Sequence, residues 1–184
     1  TITTDGTEKF ICWGAQLEQN SYATSYIPTS GTTQTRVEET CGGAGSSSSI
    51  NSEEGVLYAE IKGLVEGGTN RNISLSDGTN SNRVVLYLNS TSNRISSIII
   101  ANGTPIYVES ISQTQTNINK IAVKWKLNDY ALWINGIEVN TNTSGGFPVG
   151  LSKLSFDSGT GTANFEGNTK DLRVYSTALS DSEL

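Results

Sequence analysis

Lys120-Ile121-Ala122-Val123-Lys124-Trp125-Lys126-Leu127 decides the fold. Its period is two: Ile121, Val123, Trp125 and Leu127 face one way, and Lys120, Ala122, Lys124 and Lys126 face the other. Alternation of this kind is the mark of a strand with one covered and one wet face, because successive side chains leave a strand on opposite sides. The register places Ile121, Val123 and Trp125 in a core.

The same grammar continues on both sides. Downstream, Asn128-Asp129 turns into a strand at residues 130–134, and Asn135-Gly136 turns into another at 137–139. Short apolar runs at 151–156, 163–165 and 172–175 follow. Upstream lie runs at 56–64, 72–76, 83–88, 95–101 and 106–111. Asp77-Gly78 stops one of them, and Asn102-Gly103 is a strong short hairpin signal because both residues tolerate positive φ. Residues 10–17 form a further strand candidate, apolar on both faces. Ser180-Asp181-Ser182-Glu183 has the form of a capping box and predicts a short helix start at the end of the chain. About a dozen strands without helical periodicity predict an all-β, two-sheet antiparallel β-sandwich of jelly-roll type, with a closed barrel as the alternative.

Composition agrees. Ser, Thr, Asn and Gly supply 82 of 184 residues, types that suit turns and, for Thr, strands. The formal charge is −6 with only 12 Lys and Arg, so no electrostatic footprint for a phosphate backbone exists and nucleic acid is disfavoured as a partner. Histidine is absent, which removes a His-based triad, a His general base and His-ligated zinc. Two cysteines cannot make a four-thiolate site. No apolar run approaches the ~20 residues of a membrane span. A start at Thr1 rather than Met, with no visible signal peptide, suggests a fragment of a longer polypeptide.

Residues 41–53, led by Cys41-Gly42-Gly43-Ala44-Gly45 and a run of serines, have the composition of a flexible linker. The chain is therefore expected to divide into residues 1–40, a linker at 41–53 and a sandwich at 54–184. Cys12 and Cys41 form a candidate disulfide worth ~3 kcal/mol. A reducing cytoplasm would keep them as free thiols.

Residues 54–184 resemble a laminin-G-like, concanavalin A-like jelly roll. The matching pieces are Gly55-Val56-Leu57-Tyr58-Ala59-Glu60, Ile73-Ser74-Leu75-Ser76-Asp77-Gly78, Asn119-Lys120-Ile121-Ala122-Val123-Lys124-Trp125, and Tyr130-Ala131-Leu132-Trp133-Ile134-Asn135-Gly136-Ile137. The ending at 170–184 resembles the last strand and trailing helix of such domains. Trp13-Gly14-Ala15-Gln16-Leu17-Glu18 with Tyr22-Ala23-Thr24-Ser25-Tyr26-Ile27-Pro28-Thr29 is similar to a phrase in tail-fibre proteins of bacteriophages and prophages. There it closes a carbohydrate-binding-module-like sandwich upstream of a laminin-G-like domain. The resemblance implies that residues 1–40 are the closing strand of an upstream domain absent from this chain; a strand apolar on both faces that has lost its sheet is then expected to dock on the same chain or swap onto a neighbouring copy.

The chemistry expected of such a chain is binding. Sandwich hydrolases need two carboxylates flanking one bond. Here Glu53-Glu54 are adjacent, Glu60 shares a face with Lys62, and Glu166 and Asp171 are separated by a turn, so the chain is read as a non-enzyme. Arg83, Tyr87, Tyr107, Tyr130 and Trp133 are candidate glycan-binding residues, with Tyr87 sharing a face with Arg83 and Tyr107 with Glu109. Tyr130 and Trp133 lie on opposite faces, so one of them is expected to be exposed. Related lectin-like domains often bind a calcium ion, and the candidate ligands are Asp77, Asp129, Asp157 and Asp171, although no Asp-x-Asp spacing supports a preformed site. Four N-glycosylation sequons, from Asn72, Asn89, Asn102 and Asn142, are expected by chance in such a composition.

The leading reading is a non-enzymatic virion module of a tail fibre, attaching to cell-surface polysaccharide at the virion surface, with other virion proteins and a second copy of the chain as partners. The alternative is a carbohydrate-binding module of a secreted or cell-surface bacterial enzyme or adhesin, or a ligand-free spacer.

Overall fold

The computed structural model describes residues 15–17, 25–28, 30–35 and 42–184. Two compact units divide the chain, residues 1–39 and 40–184. In the first, the Gln16 side chain donates to the Ser25 carbonyl at 3.4 Å and accepts from the Ile27 N–H at 2.7 Å. Cys12, Cys41, Trp13 and most of the expected docking strand lie outside the described residues.

The second unit contains ten strands: β1 (Glu54–Gly63), β2 (Arg71–Ser76), β3 (Arg83–Leu88), β4 (Arg94–Ala101), β5 (Thr104–Ser112), β6 (Asn119–Lys126), β7 (Tyr130–Ile134), β8 (Ile137–Asn142), β9 (Lys153–Ser155) and β10 (Gly167–Tyr175). They form two five-stranded sheets, ordered β10-β1-β6-β7-β8 and β5-β4-β3-β2-β9. Every pairing is antiparallel. The two Asn-Gly dipeptides make the hairpins expected of them: Asn102 and Gly103 take φ 49° and 79°, and Asn135 and Gly136 take 55° and 79°. Positive φ at both central residues matches the strand twist. The run at 163–165 is a loop rather than a strand.

The core lies between the sheets. From one side come Leu57, Ala59, Ile61, Ile121, Val123, Trp125, Leu132 and Ile134, and from the other Ile73, Leu75, Val84, Leu86, Leu88, Ile95 and Ile99. Trp125 is fully buried opposite Gly55 on β1. A Cβ at Gly55 would sit 2.5 Å from the indole, so the glycine makes room for the ring. The outward lysines of β6 alternate with this apolar set as the sequence predicts.

Residues 42–53 are not a free linker. Ala44 forms a bridge with Leu154, Ile50 enters the core at 4% exposure, and the Leu151 N–H donates to Ser52 Oγ at 2.9 Å. Low-complexity Gly and Ser residues here supply turns around one apolar anchor. The tail also departs from expectation. Ser180 N–H and Oγ donate to Glu183 Oε2 at 2.9 and 2.6 Å, which is one half of a capping box, but the Glu183 N–H donates to the Ser180 carbonyl at 2.9 Å and closes a turn, and no helix follows.

Candidate functional site

The outer faces of the two sheets are built differently. On the β5-β4-β3-β2-β9 sheet, β2 presents Asn72, Ser74 and Ser76, and the loop at 156–166 folds over them. Asn72 N–H donates to the Ala163 carbonyl at 3.0 Å, and Gly159 lies so close to Ser76 that a Cβ there would meet it at 2.8 Å. Ser74 and Ser76 are fully buried.

The other sheet carries a row of side chains that crosses four strand pairings. Arg173 on β10 lies opposite Tyr58 on β1, Tyr58 opposite Ala122 on β6, Ala122 opposite Trp133 on β7, and Trp133 opposite Glu138 on β8. Tyr58 and Trp133 are two strands apart, about 10 Å at the backbone. The Ala122 methyl between them leaves a low floor. Arg173 lies over the Tyr58 ring at 5.9 Å from its centroid, and its Nη2 reaches Asp171 at 2.7 Å. Hydrogen bonding to Tyr175 and then to Asp171 holds this guanidinium above its ordinary pKa. Burial, followed by the nearby Glu60 and Asp171 charges, raises the Tyr58 phenol, so it stays a neutral donor and acceptor.

These groups line a cleft of about 350 Å³, completed by Lys120 and Asn135 at one end and by Leu179, Glu183 and Leu184 of the tail at the other. The Asn135 side-chain Oδ1 accepts from the Lys120 N–H at 2.9 Å, which fixes that rim. Among the described lining residues Glu183 is the sole acidic side chain, and its hydrogen bonds from Ser180 depress its pKa. An ionised, capped carboxylate without a second acid is no general acid–base pair. An aromatic-walled trough with a few polar groups suits a ligand that has both an apolar face and hydroxyls.

The structure separates the five expected glycan-binding residues. Trp133 lines the cleft. Arg83 and Tyr87 point out of the opposite sheet, and Arg83 Nη1 is taken up by the Ser158 carbonyl at 2.9 Å. Tyr107 and Tyr130 are corrections: both face the core. Tyr107 is 3% exposed and stacks on Tyr130 with ring centroids 6.0 Å apart. The Tyr130 hydroxyl donates to the Gly146 carbonyl. Tyr107 shares parity with Glu109 as expected, but β5 is an edge strand, where Glu109 stays half-exposed from an inward-facing position. Tyr58, Ala122, Arg173 and Tyr175 were missed as site residues; the outward parity of Tyr58 on β1 was the available signal.

The four candidate calcium ligands are not brought together. Asp77 accepts from Thr79 N–H and Oγ1 at 2.7 Å each and from Asn82 Nδ2 at 3.0 Å. Asp129 pairs with Lys124 at 3.0 Å, Asp157 accepts from the Gly159 N–H, and Asp171 is held by Arg173. Among the described residues no group of three or more His, Cys, Asp or Glu side chains is arranged to hold a metal.

No family model matches the chain, and no curated protein matches it in sequence. Solved structures do match its fold. The chain is similar to the CBM40 of Ruminococcus gnavus IT-sialidase bound to alpha2,3 sialyllactose, with a TM-score of 0.62 and 19% identity over 80% of this chain and 95% of that one. It is similar to domain 4 of AbnA, a GH43 extracellular arabinanase from Geobacillus stearothermophilus, in complex with arabinotriose (TM-score 0.59, 12% identity, 73% and 66% covered). The SAP-like pentraxin of Limulus polyphemus matches with a TM-score of 0.57, 13% identity, and 77% and 71% covered. At these identities the likeness establishes the fold: an all-β, two-sheet sandwich of jelly-roll type.

Proposed function

We propose that the chain is a non-catalytic carbohydrate-binding module and that the cleft on β1, β6, β7 and β10 receives the sugar. The observation that carries this reading is the Tyr58–Ala122–Trp133 row, two aromatic walls over a small floor beside the Arg173 and Lys120 cations. A sugar ring would lie on Ala122 with its apolar face against Trp133, and its hydroxyls would meet Tyr58, Asn135 and Lys120. Two of the similar structures hold a sugar, alpha2,3 sialyllactose and arabinotriose. That supports glycan as the ligand class and a bacterial secreted or surface enzyme or adhesin as the setting. The tail-fibre reading rests on the resemblance of residues 13–29 and on its position ahead of the sandwich, and none of the structures just described is a virion protein.

The test is a glycan array followed by calorimetric titration with 3′-sialyllactose and arabinotriose. Binding by the wild-type chain with no release of reducing ends is the expected result. EDTA should leave the affinity unchanged, since the four aspartates are already engaged separately. No binding anywhere on the array would leave a ligand-free spacer as the function. Turnover that vanishes on mutating one carboxylate would overturn the non-catalytic reading.

A further inference from the structure

The cleft is open along β1 in one direction only. Across the Val56 level run Tyr175, Val56, Lys124 and Ala131, one step along the sheet from the aromatic row. Val56 and Ala131 point away from the core, yet both are fully buried. The tail at 176–184 lies on this row. Lys124, 7% exposed, holds it by Asp181 at 3.3 Å while also binding Asp129 at 3.0 Å. Two further ties fix the start of the tail: the Ala178 N–H donates to Glu54 Oε2 at 3.3 Å, and Asn51 Nδ2 donates to the Ser176 carbonyl at 2.9 Å. Glu183 then folds back on Ser180, which sets Leu179 and Leu184 against the cleft. In the other direction the cleft reaches the Lys120 and Asn135 rim, and beyond it the face continues past Glu60 and Lys170, paired at 2.8 Å, toward Lys62 and Ile118, with no such wall among the described residues.

We propose that this pinned tail makes the cleft blind, so that it reads the end of a glycan chain, and that Lys124 is the positioning residue that sets this specificity without touching sugar. The inference rests on the carbohydrate-binding reading above. An internal sugar needs an exit at both ends of its site. Here the exit beyond Val56 is filled by residues 179–184. Lys124 is a nearly buried cation whose ammonium reaches two partly exposed acids from separate segments at once, so two charge-assisted contacts link the tail to the turn after β6.

Two measurements on the full chain test it. The first needs no sugar. In a Trp13→Phe background, Asp181→Asn and Lys124→Met should raise amide exchange at 179–184 and acrylamide quenching of Trp133 by about 1.5- to fivefold, the range expected for loss of a partly exposed ion pair. Lys124→Arg should restore both. Asp181→Asn keeps the Lys124–Asp129 pair, so it serves if Lys124→Met fails to fold. Unchanged exchange and quenching would overturn the proposal.

The second measurement counts protein bound per chain on arabinotriose against long linear arabinan, and on 3′-sialyllactose against polysialic acid. The wild-type count should not grow with chain length, and it should grow in Asp181→Asn. A wild-type count that rises with length overturns the blind cleft. If neither series binds, the count is repeated with the strongest glycan of the array and its polymer; if nothing on the array binds, the carbohydrate-binding reading fails and takes the specificity claim with it, while exchange and quenching still decide whether Lys124 pins the tail.

Discussion

The two outer faces of this sandwich start from the same strand grammar and end with opposite character. On β2, small Ser side chains let a loop settle onto the sheet and close it. On β1, β6 and β7 the outward set is Tyr58, Ala122 and Trp133, and the space between the rings stays empty. A sheet face is closed or kept open by the size of its outward residues together with the segment that crosses it. The core between the two faces is common to both.

The largest effect should therefore fall on what the faces share. Trp125→Ala should cost ~3–5 kcal/mol, the range for deleting a fully buried indole. Chemical denaturation checks it, and a loss below about 1 kcal/mol would mean that the β6 register is wrong. Next comes the closed face. Gly159 has φ +95° and no room beside Ser76 Cβ and Oγ, so Gly159→Val should destabilise by ~1–3 kcal/mol while leaving sugar binding intact. A parallel loss of binding would show that the two faces are not independent.

How much of this was legible in the sequence follows from the same contrast. Alternation at 120–127 fixes which side of β6 faces inward, because burial on one side acts on every second residue. The Asn-Gly pairs fix two hairpins, because few other residues reach positive φ at both turn positions. Which outer face stays open was not legible. That depends on the loop at 156–166 and the tail at 176–184, whose side chains have no periodicity and whose partners lie far away in the chain. Tyr107 shows the limit of parity: it tells which residues share a side, not which side is inside. Residues 42–53 show the limit of composition, since a single Ile50 is enough to anchor a stretch that otherwise reads as linker.

Smaller effects sharpen the comparison at the end of the sandwich. Burial alone would raise the Glu66 carboxyl, but the Asn93 and Thr116 N–H groups and the Thr116 hydroxyl donate to it, and the net shift is downward. A depressed folded pKa gives stability that is present above the unfolded value of 4.5 and is lost as pH falls through the folded value. Glu66→Gln should thus cost a few tenths to about 1 kcal/mol at pH 7, after solvent screening, and the gap should close below pH 4.5. Melting curves of both proteins across that range check the sign; a gap that widens in acid would refute it. The smallest effect belongs to Tyr87→Ala on the outer side of β3, within about 0.5 kcal/mol of wild type.

The most direct test sets the two faces against each other on one sugar. Using the strongest glycan from the array, the affinities of Trp133→Ala and Tyr87→Ala are measured beside wild type, with melting curves to confirm that both fold. A cleft between Tyr58 and Trp133 predicts at least a tenfold loss for Trp133→Ala, about 1.4 kcal/mol, and no change for Tyr87→Ala. The reverse pattern, with Trp133→Ala binding normally and Tyr87→Ala failing, would contradict it and move the site to the other sheet.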